Sequence, residues 1–196
     1  MRIDIIFIGG EKLKKRLKTS DMVMCALFTA LIAAGAFIKI PVPVVPFTLQ
    51  FLFTMLAGLL LGGKLGALSV FVYLILGLAG LPVFSEGGGI GYIFKPSFGY
   101  IIGFAIASFV TGHMVRKAGS LHMGRILAAN FTGLAIVYGV GMLYYYLICN
   151  FVIDTPIGLW PLILYCFILA VPGDICLCFL AAFIAKRLKP VINQLL

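Results

Sequence analysis

Long uncharged runs alternate along this chain with short charged, proline-rich or glycine-rich interruptions. The runs cover 22–38, 40–63, 65–85, 96–115, 126–153 and 155–185, the last broken only by Asp174. A membrane-spanning helix needs ~20 apolar residues. The pattern therefore predicts six transmembrane helices, at about 22–38, 47–63, 65–84, 98–115, 126–151 and 157–185. Asp21 is the expected N-cap of the first. The connection Ile40-Pro-Val-Pro-Val-Val-Pro46 is forced into an extended path by its prolines, and Pro46 suits the first turn of the second helix. Gly62-Gly63-Lys64 is too short for more than a tight turn, so helices two and three form an antiparallel hairpin. The longest connection, Ser85 to Tyr100, is glycine-rich and carries aromatics, one acid and one base.

Composition raises these runs from buried segments to membrane spans. Of 196 residues, 63% are hydrophobic and 11% charged, and the mean hydropathy is +1.18. A soluble domain with a wetted surface does not reach such values. The expected class is an all-α membrane protein, with residues 1–20 as a basic cytoplasmic N-terminal segment and 21–190 as the six-helix membrane domain. Separate soluble domains are excluded, because the spans use most of the chain.

The net charge of +9 would suggest nucleic acid in a soluble protein. Here it reports orientation. With the amino terminus inside, 13 of the 15 lysines and arginines face the cytoplasm and only Lys39 and Lys95 lie outside. That bias predicts both termini cytoplasmic and removes the need for a nucleic-acid partner. The run Glu11 to Lys18 is a topology signal or a basic helix lying on anionic membrane lipid. The patch Ile5 to Ile8 is too short and wrongly placed for a secretory signal, so the segment is expected to be retained.

Little in the chain can do covalent chemistry. Gly58-Leu-Leu-Leu-Gly-Gly-Lys64 imitates a phosphate-binding loop, but Leu65 stands where Ser or Thr must reach magnesium, and the segment lies in an apolar helix. His113 and His122 both fall at the cytoplasmic face, and Asp174 is the one acid inside a span. Membrane proteases need paired groups, so an enzyme is not expected. The five cysteines show no metal-ligand spacing, and neither a metal nor a cofactor is expected.

Asp174, in Val171-Pro-Gly-Asp-Ile175, is the chemical anomaly. A carboxylate inside a span costs ~2.5–3.5 kcal/mol on insertion scales. It faces a binding cavity, or it is a structural acid held by Asn130 or a tyrosine. Lys95, the one base of the glycine-rich loop, binds an anionic group or is simply solvated. Small residues at four-residue spacing, Ala26, Ala30 and Ala34 in helix one and Gly58, Gly62 and Gly66 across helices two and three, permit close helix approach. The alanine stripe suits an internal seam or an external docking face equally. Tyr144-Tyr145-Tyr146 and Trp160 suit an interfacial aromatic belt.

Taken together, Pro43-x-x-Pro-Phe-Thr-Leu-Gln50, Ala57-Gly-Leu-Leu-Leu-Gly62, Gly77-Leu-Ala-Gly-Leu-Pro-Val-Phe84 with the glycines after it, Pro96-Ser-Phe-Gly-Tyr-Ile-Ile-Gly-Phe104 and Pro172-Gly-Asp174 resemble the BioY family. These are the biotin substrate-binding (S) components of energy-coupling-factor transporters. The resemblance implies ATP-driven vitamin uptake across a prokaryotic plasma membrane. It implies biotin as transported substrate, and partners comprising a coupling transmembrane subunit and two ATPase subunits. Residues Asp174, Lys95, Phe47, Thr48, Gln50, Gly88, Tyr92 and Tyr100 would then form the substrate site, and Ala26, Ala30 and Ala34 the docking stripe. Two positions depart from the family pattern: Leu177 and Ile101 stand where members often carry basic residues. The alternatives are a related acid such as lipoate as substrate, or a self-sufficient secondary transporter or channel.

Overall fold

The computed structural model of the chain describes residues 18–40, 47–117 and 122–195. The basic segment up to residue 17 and the prolines Pro43 and Pro46 lie outside the described residues. The rest is mostly helical: α1 (Thr19–Phe37), α2 (Gln50–Leu61), α3 (Gly63–Leu78), α4 (Phe98–Lys117), α5 (Met123–Phe151), α6 (Leu159–Ile163) and α7 (Val171–Leu195). A π-helical turn, Leu164–Ile168, joins α6 to α7. Among the described residues four helical stretches are long and apolar enough to cross a membrane: Thr19–Phe37, Phe98–Arg116, Met123–Phe151 and Leu159–Pro190. Two shorter apolar helices, α2 and α3, lie beside them.

α2 is the centre of the bundle. Every residue from Gln50 to Leu61 except Phe53 is buried, as expected of a helix that is apolar all round. It packs against α1, α3, α4 and α7, while α5 lies along α4 and α7. Conversely, Leu27, Phe71, Phe109, Phe131, Phe179 and Phe183 point outward. That apolar exterior is the surface of a multi-pass membrane protein, solvated by lipid chains.

The helix ends differ from the sequence pattern in instructive ways. α1 begins at Thr19, and Asp21 sits in its first turn, where Oδ2 accepts the Lys18 backbone N–H at 3.0 Å. The acid thus acts from within the helix and not as the N-cap. Phe47–Thr48 form a short strand (β2) paired antiparallel with Lys39–Ile40 (β1), so α2 starts at Gln50. α3 stops at Leu78, not near residue 84: Gly80 takes φ +106° and Pro82 follows, and neither continues a helix. The turn between α2 and α3 is Gly62 alone, at φ +87°. Gly58 and Gly66 meet across that turn, and a Cβ on Gly66 would come within 2.7 Å of the Gly58 backbone nitrogen.

Alternation of the helices leaves the molecule with two unlike ends. Lys64, Arg116, Lys186, Arg187 and Lys189 belong to the end where α2 meets α3. There the Lys189 ammonium donates to the carbonyls of Leu59 and Leu60, satisfying the open C-terminus of α2. The opposite end carries the β1–β2 hairpin and the loop between α3 and α4.

Candidate binding site

The site lies at the hairpin end, where β2, the first turns of α2 and α4, the middle of α5 and the start of α7 converge. They line a partly enclosed pocket, whose concave shape and mixed apolar and polar lining are those of a small-molecule site.

Asp174 lies in its wall, 7% exposed. The π-helical turn and the turn at Leu169–Ala170 break the helix just before it, so α7 starts afresh at Val171. Pro172 then occupies a first turn, where its missing N–H costs nothing. Asp174 falls in the same turn, where the positive end of the helix dipole favours an acid. Gly173 leaves room for the Phe47 ring: a Cβ there would lie 2.7 Å from it. The hairpin is thereby seated directly beside the acid. Tyr138 of α5 donates to Asp174 Oδ2 at 2.5 Å. The acid is therefore held by a tyrosine, not by Asn130, which donates to the Cys178 carbonyl at 2.8 Å. Oδ1 of Asp174 has no hydrogen-bond partner among the described residues, and Gln50 Nε2 and the Tyr100 hydroxyl make no well-formed hydrogen bond, though Tyr73 neighbours the first and Cys166 the second. Asp174, Gln50 and Tyr100 all line the cavity. Tyr100 meets Tyr138 edge-on at 6.0 Å, and Tyr138 meets Phe167 at 5.5 Å, giving a rigid aromatic wall.

The loop from Ala79 to Ser97 forms the remaining wall, through Ser85, Tyr92 and Ser97. Phe84, fully buried, is its anchor: its ring fills the space a side chain on Gly77 would take and packs edge-on to Tyr73 at 5.3 Å. From Phe84 the rings continue through Tyr92 and Phe98 to Tyr144. The Tyr144 hydroxyl donates to the Ile93 carbonyl. Tyr144 thus clamps this loop, a role distinct from the interfacial belt the sequence suggested. Gly87 and Gly89 take φ +113° and +101°, a region closed to most other residues. The Lys39 ammonium donates to the Ser85 carbonyl at 3.1 Å, tying hairpin to loop across the mouth.

Of the residues singled out from sequence, Asp174, Gln50, Phe47, Thr48, Tyr92 and Tyr100 line the cavity. Lys95 and Gly88 do not. Lys95 pairs with Glu86 at 3.0 Å and lies 5.1 Å over the Tyr92 ring; Gly88 packs on the Leu81 backbone. The structure adds Tyr138, Cys166, Ser85 and Ser97 as polar lining, with Phe51, Ile101 and Phe104 as apolar lining. Tyr138 had a detectable signal, since Asn130, Leu134, Tyr138 and Gly141 recur on one face of α5. Ala26, Ala30 and Ala34 lie exposed on α1, away from the cavity.

The chain is similar to known proteins along nearly its whole length. The model of the BioY family matches residues 11–194. A probable biotin transporter BioY of Lysinibacillus sphaericus is 45% identical over 180 residues, covering 92% of either chain. The biotin transporter BioY of Thermotoga maritima is 38% identical over 175 residues, covering 86% of this chain and 95% of the relative. Among solved structures, the S-component for biotin from an ECF-type ABC transporter superimposes with a TM-score of 0.75 at 29% identity, covering 91% of this chain and 95% of that one. A membrane bundle with this cavity and these relatives has one family assignment: the chain belongs to the BioY family.

Proposed function

We propose that the chain is the substrate-binding subunit of an ATP-driven uptake transporter, which captures biotin from outside the cell and performs no chemistry on it. The observation that carries this reading is a complementary pair in the cavity wall: an acceptor without a hydrogen-bond partner, Asp174 Oδ1, and a donor without a well-formed hydrogen bond, Gln50 Nε2. A cyclic urea supplies the converse, N–H donors and a carbonyl acceptor. Phe47, Phe51, Tyr100 and Phe104 give the bicycle an apolar enclosure, with Thr48 and Tyr92 also in the lining. Relatives named as biotin transporters support this choice of ligand.

Lipoate shares the acid tail and lacks the urea, so it would leave both groups buried and unsatisfied. A site built to hydrogen-bond its substrate rejects an analogue lacking those groups by about 10⁴–10⁵-fold. Titration of the purified chain with each acid tests this. We expect biotin to bind at least about 10³-fold tighter than lipoate, and tighter binding of lipoate overturns the reading.

Capture also needs an engine, and the described residues of α2 show no phosphate-binding loop. In this reading a coupling transmembrane subunit and two ATPase subunits supply the energy, docking on the exposed Ala26, Ala30 and Ala34 stripe of α1. The basic residues gathered at one end of the bundle support a cytoplasmic position for that end. They likewise favour both termini inside and six spans in the plasma membrane, with α6, the π-helical turn and α7 forming the sixth. A self-sufficient transporter or channel is not favoured by these relatives.

A further inference from the structure

Resting on the reading of the cavity as a vitamin site, we propose that Ser85, Tyr92 and Ser97 form its subsite for a carboxylate tail. Tyr92 is 3% exposed, and its hydroxyl is the hub of the group. Ser97 donates to it at 3.3 Å, and Ser85 shares a hydrogen bond with it at 3.2 Å. All three side chains line the cavity, on the loop side, whereas Asp174 belongs to α7. A carboxylate has about four lone-pair sites and no donor. Three rotatable hydroxyls can turn their hydrogens onto it, giving charge-assisted bonds.

Lys95, the obvious cation, is engaged elsewhere. Its ammonium reaches Glu86 Oε2 at 3.0 Å and the Glu86 carbonyl at 3.1 Å, and it does not line the cavity. The pair is close to neutral, so the hydroxyls meet no net negative charge from their own loop. The ligand's orientation follows from charge. An anionic tail is repelled by Asp174, while the urea is drawn to it, so the tail rests among the hydroxyls and the ring against α7.

Competition binding to the full chain, with biotin and biotinamide as probes, tests the assignment. Biotinamide keeps the ring and loses the anionic tail. The wild type should prefer biotin by about tenfold or more, the size of one or two charge-assisted hydrogen bonds. In the double variant Ser85→Ala/Ser97→Ala biotin affinity should drop by more than biotinamide affinity, so that the preference falls to about twofold or less. Tyr92→Phe, which keeps the ring, should lose most of it, and this variant decides the matter if the double variant does not fold. Glu86→Gln/Lys95→Met, which removes both charges of the pair, should keep the preference. Preference retained in Ser85→Ala/Ser97→Ala and Tyr92→Phe, or lost in Glu86→Gln/Lys95→Met, overturns the assignment. A wild type that binds neither probe instead overturns the vitamin reading, and the subsite with it.

Discussion

Tyr138 and Asp174 are 36 positions apart in the chain, and their 2.5 Å hydrogen bond determines which carboxylate oxygen is left to a ligand. Oδ2 is occupied by the tyrosine, and Oδ1 is without a partner among the described residues. Replacing Asp174 by Asn turns one oxygen into a donor group and removes the charge. Hydrogen bonds to charged groups contribute about 1.5–3 kcal/mol, so calorimetry should show biotin affinity falling by about 10- to 150-fold. Tyr138→Phe leaves Oδ1 in place but frees Oδ2 to turn, and we expect a smaller loss, about tenfold or less. An Asp174→Asn variant with unchanged affinity would make the acid purely structural. Asp174 was legible because an acid inside an apolar run is costly wherever the run folds. Its partner was legible only in part: Tyr138 shares one face of α5 with Asn130, Leu134 and Gly141, but nothing local marks it as the residue that meets the acid. Lys95 is the reverse case: the residue stood out, yet its pairing with Glu86 depends on how the loop folds back.

At the scale of elements, glycines set how closely α2, α3 and α4 approach. A Cβ on Gly58 would lie 2.5 Å from the Ser108 carbonyl oxygen and 2.6 Å from Thr111 Oγ1. Backbone cannot yield as a flexible side chain does, so Gly58→Ala should destabilise the bundle by about 1–3 kcal/mol. Thermal unfolding in detergent should show this as a drop of several degrees. Gly139→Ala, with no neighbour within 4 Å of the added carbon, serves as the control and should change little. The spacing of Gly58 and Gly66 revealed a close contact in advance. The end of α3 was hidden, because Leu81-Pro82-Val83-Phe84 is as apolar as a helix. Phe84 is buried as a loop anchor, and apolarity reports burial without reporting backbone path. The π-helical turn before α7 was hidden for the same reason.

For the whole molecule, the cavity and the alanine stripe proposed for docking occupy separate regions. The cavity lies at the hairpin end, among β2, α2, α4, α5 and α7, while the alanine stripe lies exposed on α1. Substitutions on α1 should therefore separate the two activities. Ala26→Leu/Ala30→Leu/Ala34→Leu should leave biotin affinity within about twofold, because the changes fall on an exposed face outside the cavity. The same variant should no longer co-purify with the coupling subunit or support uptake in vesicles that contain the ATPase subunits. Loss of biotin binding, or normal uptake, would show that the stripe does not dock the module.

Membrane class, the predominance of helix and the anomalous acid could be read in one dimension. Each follows from a cost that every residue meets alone: a charge in hydrocarbon is penalised whatever its neighbours. The three-dimensional packing decided what depends on pairs. It left Asp174 Oδ1 and Gln50 Nε2 facing one cavity, occupied Lys95 with Glu86, and gathered Ser85, Tyr92 and Ser97 around one hydroxyl. These relations join residues from different helices and from a loop whose glycines permit many paths, so neither spacing nor composition could specify them before the chain had folded.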